Sequence, residues 1–167
     1  VALPKDIEWH FIGTLQTNKI KYILPFVSLI QSVDSYRLLE EINRQAAKEN
    51  RTIACLLQLH IATEETKHGF TPAECKQMLT EGAWRRLKNI QLCGMMGMAT
   101  FTENQEQVEG EFRALKHFFD EVKRTYFAQD AAFCELSIGM SDDYSLAIRQ
   151  GSTMVRIGTK LFGDRNI

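Results

Sequence analysis

About six apolar, strand-like runs alternate with helical stretches from one end of the chain to the other, and few folds accommodate that order. Residues 7–13 place Ile7, Trp9 and Phe11 on one face and Glu8, His10 and Ile12 on the other, the mark of a strand with one apolar face. Further strand-like runs lie at 27–33, 52–61, 90–98, 133–137 and 154–157. Residues 52–61 are apolar nearly throughout, as in a parallel strand covered on both faces. A short helix is expected at 18–26, interrupted by Pro25. Asp34 is a good N-cap for a helix over 35–49, with Leu38, Leu39, Ile42 and Ala46 as its core stripe. Thr71, Pro72 and Glu74 form a capping box that opens a helix to about Thr80, and Gly82 allows a break before Trp84. The longest helix, 104–127, carries Val108, Phe112, Leu115, Phe119, Val122 and Tyr126 at helical spacing. The last long one spans 142–150 and closes at Gly151. Strands alternating with helices in this way mean an α/β fold of parallel strands joined by right-handed crossovers. No repeat, low-complexity segment or linker interrupts it, so residues 1–167 read as a single domain.

A closed (β/α)₈ TIM barrel needs eight strands and typically ~250 residues. Six strands in 167 residues leave two readings, an open sheet or a barrel whose first two βα units precede Val1. The start of the chain only a few residues ahead of a strand favours the incomplete barrel. Its missing units would leave an open seam, with exposed edges that favour self-association. The full-length barrel is expected to be a monomer.

Charge and composition narrow the partners. A net charge of −1 without a basic block argues against nucleic acid. No apolar run reaches ~18 residues, so no membrane span is expected. The chain opens at Val1 without a charged-then-apolar leader, and Cys55, Cys75, Cys93 and Cys134 show no CxxC spacing. Cys55, Cys93 and Cys134 fall inside apolar, strand-like runs and read as buried free thiols in a cytoplasmic protein. No HxxxH, HExxH or Cys/His cluster is present, so no metal is expected.

The chemistry concentrates at 135–163, where two similar turns follow one another. An apolar run ending at Ser137 meets Gly139, and Ser141, Asp142 and Asp143 then open a helix. The strand Met154, Val155, Arg156, Ile157 meets Gly158 and Thr159, with another short helical segment behind it. A glycine lets backbone approach a ligand closely, and a helix start offers unpaired N–H groups at a positive dipole end. Together these make an anion site, most often for phosphate. In (β/α)₈ barrels the loops after the last two strands frequently build that site. The Ser137 and Thr159 hydroxyls and the amides around Gly139, Met140, Ser141, Gly158 and Thr159 are its candidate donors. Asp142 and Asp143 would repel phosphate and are expected to face away. The plainer readings are that Ser141 caps a helix and that Gly158 and Thr159 form an ordinary turn.

The segments WHFIGTLQTNK at 9–19, SIGMSDD at 137–143 and VRIGT at 155–159 together resemble the pyridoxal-phosphate homeostasis proteins. Their order and spacing match along the whole chain, including the loop Lys67, His68, Gly69, Phe70 and the strand with Gly94, Met95 and Met96. That family is similar to the barrel domain of bacterial alanine racemase. The resemblance implies an alanine racemase N-terminal type of (β/α)₈ barrel, with about six of its eight units here. It also implies binding of pyridoxal 5′-phosphate, a part in vitamin B6 homeostasis as a carrier or buffer, and no established catalytic activity. The family's covalent lysine lies on the first barrel strand, which would precede Val1. Lys19 and Lys160 lie near recognisable motifs but not at that position.

Two further residues carry expectations. Arg156 sits opposite Val155 and Ile157, so it points into the barrel if those pack against helices. By similarity to the racemase barrel it would meet the cofactor's pyridine nitrogen, and the alternative is an ion pair with a carboxylate from another strand. His10 either lines the cofactor pocket or is a hydrogen-bonded core histidine. Met95, Met96 and Met98 read as core filling in a narrow barrel. The rival functions are an amino-acid racemase or related lyase using the same cofactor, and a phosphate-binding barrel enzyme acting on a sugar phosphate.

Overall fold

The computed structural model describes residues 3, 4, 6–63 and 68–163. Lys67 of the family-like loop lies outside the described residues. Six strands run β1 Trp9–Phe11, β2 Val27–Val33, β3 Ile53–Leu59, β4 Ile90–Gly97, β5 Glu135–Met140 and β6 Met154–Arg156. They form one sheet in sequence order, with every neighbouring pair parallel. The helices are α1 Ile20–Ile23, α2 Tyr36–Lys48, α3 Pro72–Glu81, α4 Gln105–Tyr126, α5 Tyr144–Arg149 and α6 Thr159–Phe162.

The sheet is strongly curled. Gln31 of β2 donates from Nε2 to Met154 Sδ of β6 at 3.1 Å. Those strands are four places apart, about 19 Å in a flat sheet at ~4.8 Å per strand. A half-barrel brings them together across its hollow, and β1 and β6 are its two edges among the described residues. The alternation along each strand divides the core accordingly. Ile30, Cys55, Leu57, Met95, Leu136 and Ile138 pack outward with the helix stripes, while Leu29, Leu56 and Met96 form an inner cluster with Met98 and Met154 against it. Of the three methionines of the 95–98 group, Met95 therefore fills the sheet–helix layer, and Met96 and Met98 lie inside the barrel.

Local signals account for most element ends. The Thr71 capping box is complete, with Glu74 N–H donating to Thr71 Oγ1 at 3.2 Å and Thr71 N–H to Glu74 Oε2 at 2.8 Å. Gly82 ends α3 in the left-handed conformation at φ 71°. The cap of α2 is Ser35, which accepts from Leu38 N–H at 3.3 Å, and not Asp34; the Asp34 carboxylate instead accepts from the Ser35 hydroxyl. The fifth strand continues to Met140, beyond the expected end at Ser137, because Met140 pairs with Arg156 of β6.

All four cysteines are free thiols, with Cys55 and Cys75 buried, Cys93 half-buried and Cys134 exposed. Cys134 and Cys93 thus depart from the expectation of buried thiols: Cys134 precedes β5, and Cys93 faces the open inner side of the half-barrel beside Leu29, Leu56 and Met96. Burial pushes the Cys75 thiol up to about 12 from its ordinary 9.0, and pushes Cys55 up as well. Above pH 9.0 the unfolded thiols ionise while the folded ones keep their protons. Stability is therefore fully present below that pH and falls by about 1.4 kcal/mol per pH unit for each buried thiol above it. Urea midpoints between pH ~7 and ~10 test this. The alkaline loss is expected to shrink in Cys75→Ala, and an unchanged pH profile in that variant would contradict it.

Candidate functional site

A cleft of about 680 Å³ opens where the C-terminal ends of β5 and β6 face β1 and β2. Its lining includes His10, Gln31, Met140, Ser141, Asp142, Met154, Arg156, Gly158 and Thr159. Arg156, His10 and the second turn converge there. Ser137 and Gly139 do not reach its surface.

A hydrogen-bonded relay crosses the floor. Arg156 donates from one guanidinium nitrogen to Ser137 O at 2.8 Å and to Ser137 Oγ at 2.7 Å, and from the other to Gly97 O at 3.0 Å. Ser137 Oγ donates to Gln31 Oε1 at 2.6 Å. Gln31 Nε2 lies 3.2 Å from His10 Nδ1 and donates also to Met154 Sδ. Gln31 is 1% exposed and Ser137 fully buried. The partners of Arg156 are carbonyls and a hydroxyl, so the alternative of a direct carboxylate ion pair is not what holds it. Burial pushes its guanidinium down to about 10, and the charge of Asp143 opposes that shift. A buried cation held by neutral acceptors retains unsatisfied demand for an anionic or lone-pair partner.

The glycine turns differ from the expected cradle. Ser137 is the relay's centre and offers no hydroxyl to the cleft. Gly139 has φ +94°, and a Cβ there would lie 2.5 Å from Ala147 Cβ and 3.1 Å from Tyr144 Cα. Its role is close approach of β5 to α5, not of backbone to ligand. The Met140 N–H donates to Asp143 Oδ1 at 2.6 Å, and the Gly158 N–H to Ser141 Oγ at 3.2 Å. Two of the expected amides are thus engaged internally, and Ser141 ties the two turns together instead of capping α5. What remains open to a ligand is the Ser141 hydroxyl proton, together with the N–H and hydroxyl of Thr159. None of these makes a hydrogen bond among the described residues. Asp142 lines the cleft, against the expectation that it faces away, and Asp143 turns its carboxylate onto backbone.

No lysine lines this cleft among the described residues. Lys160 lies over the Tyr144 ring at 4.6 Å and Lys19 over Tyr22 at 5.8 Å. Sequence reasoning missed Gln31 and Met154 as parts of the site. The available signal was Gln31 beside Ser32 inside an otherwise apolar strand, a buried polar pair that needs partners.

Comparison with known proteins agrees with this architecture. The model of the alanine racemase N-terminal domain matches residues 7–166. The pyridoxal phosphate homeostasis protein of Aquifex aeolicus (strain VF5) is 42% identical over 160 residues, which cover 96% of this chain and 68% of that protein. The chain spans about two thirds of the length of the curated relatives it matches, 68% and 66% for the first two. PipY of Synechococcus elongatus PCC7942, solved without PLP, superposes with a TM-score of 0.87 at 32% identity, covering 96% of this chain and 73% of that one. PipY with PLP bound superposes at 0.83, with 31% identity and coverage of 96% and 72%. Alanine racemase of Clostridium difficile 630 shares the fold, with a TM-score of 0.72 at 17% identity over 96% of this chain and 39% of that one. With its six-stranded parallel half-barrel and these likenesses, the chain belongs to the alanine racemase N-terminal domain family and, within it, to the pyridoxal phosphate homeostasis proteins.

Proposed function

We propose that the cleft holds pyridoxal 5′-phosphate and that the chain serves pyridoxal phosphate homeostasis by keeping the cofactor, without catalysis of its own. The observation that carries this reading is a set of hydrogen-bond donors that find no acceptor among the described residues. The Ser141 hydroxyl is buried, accepts from Gly158 N–H, and still has a proton to donate at the cleft wall. Thr159 adds an N–H and a hydroxyl, and Arg156 adds a buried positive charge. Donors at one end and a guanidinium held only by neutral acceptors at the other suit a phosphorylated ring that offers acceptors. Ser141 and Thr159 are therefore the proposed phosphate holders, with Gly158, Met140 and Gly139 shaping the turns. Arg156 and His10 are the proposed ring contacts, and Ser137 supports Arg156 from behind.

When bound, the cofactor supplies an aldehyde and an electron-withdrawing ring. Arg156 stays charged at any ordinary pH and disfavours a proton on a ring nitrogen set against it. That weakens the ring as an electron sink and suits holding better than turnover. The relatives' shared name as homeostasis proteins and the PLP in PipY support the same reading. A reducing cytosol fits the four free thiols.

Titration of the purified chain with pyridoxal 5′-phosphate, followed by absorbance and equilibrium dialysis, is expected to give saturable binding of one molecule per chain, relieved by inorganic phosphate. Absence of saturable binding would sink the reading. Racemisation of alanine faster than by the free cofactor would overturn its non-catalytic part.

A further inference from the structure

We propose that Gln31 is the positioning residue of the cleft: through Ser137 it carries the donor direction that Arg156 imposes on to His10, and it makes His10 a neutral imidazole presenting Nε2–H to the ligand. Only the identity of that ligand rests on the cofactor reading above.

The direction follows from which groups are able to donate. A guanidinium has N–H donors and no acceptor. Ser137 Oγ therefore accepts from Arg156 at 2.7 Å, and its own proton goes to the one remaining acceptor in reach, Gln31 Oε1 at 2.6 Å. With its oxygen committed, the amide turns its NH₂ toward His10 Nδ1 at 3.2 Å and Met154 Sδ at 3.1 Å. Rotating the amide by half a turn would bury the Ser137 proton without an acceptor and aim the carbonyl at the sulfur, so one arrangement satisfies all members. His10 Nδ1 must accept in that arrangement. An imidazolium has no acceptor nitrogen, so His10 is neutral and carries its proton on Nε2. No protein group takes up that N–H among the described residues, and His10 is an exposed member of the cleft lining.

The consequence is a cleft floor that only donates. Arg156 at one side and His10 Nε2–H at the other accept a ring bearing lone pairs at both places, such as an unprotonated ring nitrogen with a phenolate or carbonyl oxygen. A ring that presents N–H or an ammonium group at His10 is rejected.

Long-range ¹H–¹⁵N spectra of the histidine side chains test this without ligand. Wild type is expected to show His10 as a single Nε2–H tautomer at neutral pH. In Gln31→Glu a carboxylate of the same shape has no donor, so the proton is expected to move to Nδ1 or to occupy both nitrogens. A wild-type His10 protonated on Nδ1, or a Gln31→Glu variant with an unchanged tautomer, would overturn the inference. Gln31→Leu removes the tie, and the loss of about one neutral hydrogen bond is expected to weaken pyridoxal 5′-phosphate binding up to about tenfold. Wild-type affinity in a folded Gln31→Leu would overturn the positioning role while leaving the cofactor reading intact. Failure of wild type to bind the cofactor would remove that reading and leave the tautomer spectra to decide this one. Should Gln31→Leu fail to fold, the Gln31→Glu spectra still decide.

Discussion

Gly94→Ala is expected to lower the stability of the fold sharply and to cut the yield of soluble folded protein. Gly94 sits inside β4 at φ +152°, where side chains are strained. A Cβ there would lie 1.8 Å from the Glu135 carbonyl oxygen and 2.7 Å from its carbon. Those atoms are the backbone of β5, in register with Gly94, so no side chain is available to swing aside. Admitting one methyl group means prising β4 from β5, the two strands that deliver Gly97 and Ser137 to the relay. Overpacking and backbone strain together cost about 3–5 kcal/mol. Against a total stability of about 5–15 kcal/mol, that removes a large share and brings a chain at the low end of the range to the edge of unfolding. Gly110→Ala is the matched control: it lies in α4, a Cβ there meets nothing within 4 Å, and the change is expected to stabilise the helix by about 0.5–1 kcal/mol. Soluble yield, far-ultraviolet circular dichroism and urea midpoints compare the two. A Gly94→Ala protein with a wild-type midpoint would contradict the account.

Arg156→Met is expected to separate binding from stability. The guanidinium donates three hydrogen bonds, none of them to a carboxylate, and burial works against its charge, which Asp143 only partly supports. Replacing a buried charge by an apolar chain of similar length removes that desolvation cost while leaving two carbonyls and the Ser137 hydroxyl short of a donor. The opposing effects leave the melting temperature close to wild type. Affinity for pyridoxal 5′-phosphate loses a charged contact of about 1.5–3 kcal/mol, which is roughly a tenfold to hundredfold rise in Kd. Arg156→Lys is expected to recover little, since an ammonium does not reproduce the fork that spans Gly97 and Ser137. Undiminished binding by folded Arg156→Met would remove Arg156 from the site.

Most of the fold was legible residue by residue. The Thr71 capping box, the left-handed Gly82 and the stripe from Val108 to Val122 are set by neighbours within a turn or two, and the structure places them as expected. The α2 cap was missed by one residue because Asp34 and Ser35 are both competent caps, and only the bond from Leu38 N–H distinguishes them. The candidate site was legible in part. Arg156 faces inward because β6 alternates, and that alternation is written in three residues. The cradle was read too broadly: Gly139 has the look of a ligand-approach glycine, but its missing side chain makes room for Ala147 and Tyr144.

The chain's periodicity alone determined that parallel strands would alternate with helices, and it offered Arg156 and His10 as candidates for the hollow without deciding between that and their structural alternatives. Periodicity acts over a few residues, where dihedral preference and burial are set locally. Only the tertiary structure decided what these side chains meet. The Ser137–Gln31 bond joins positions 106 apart in sequence and exists because the sheet curls until β2 faces β5 and β6. A contact of that kind depends on the summed twist and register of every intervening strand, a geometric sum that no short stretch of residues contains.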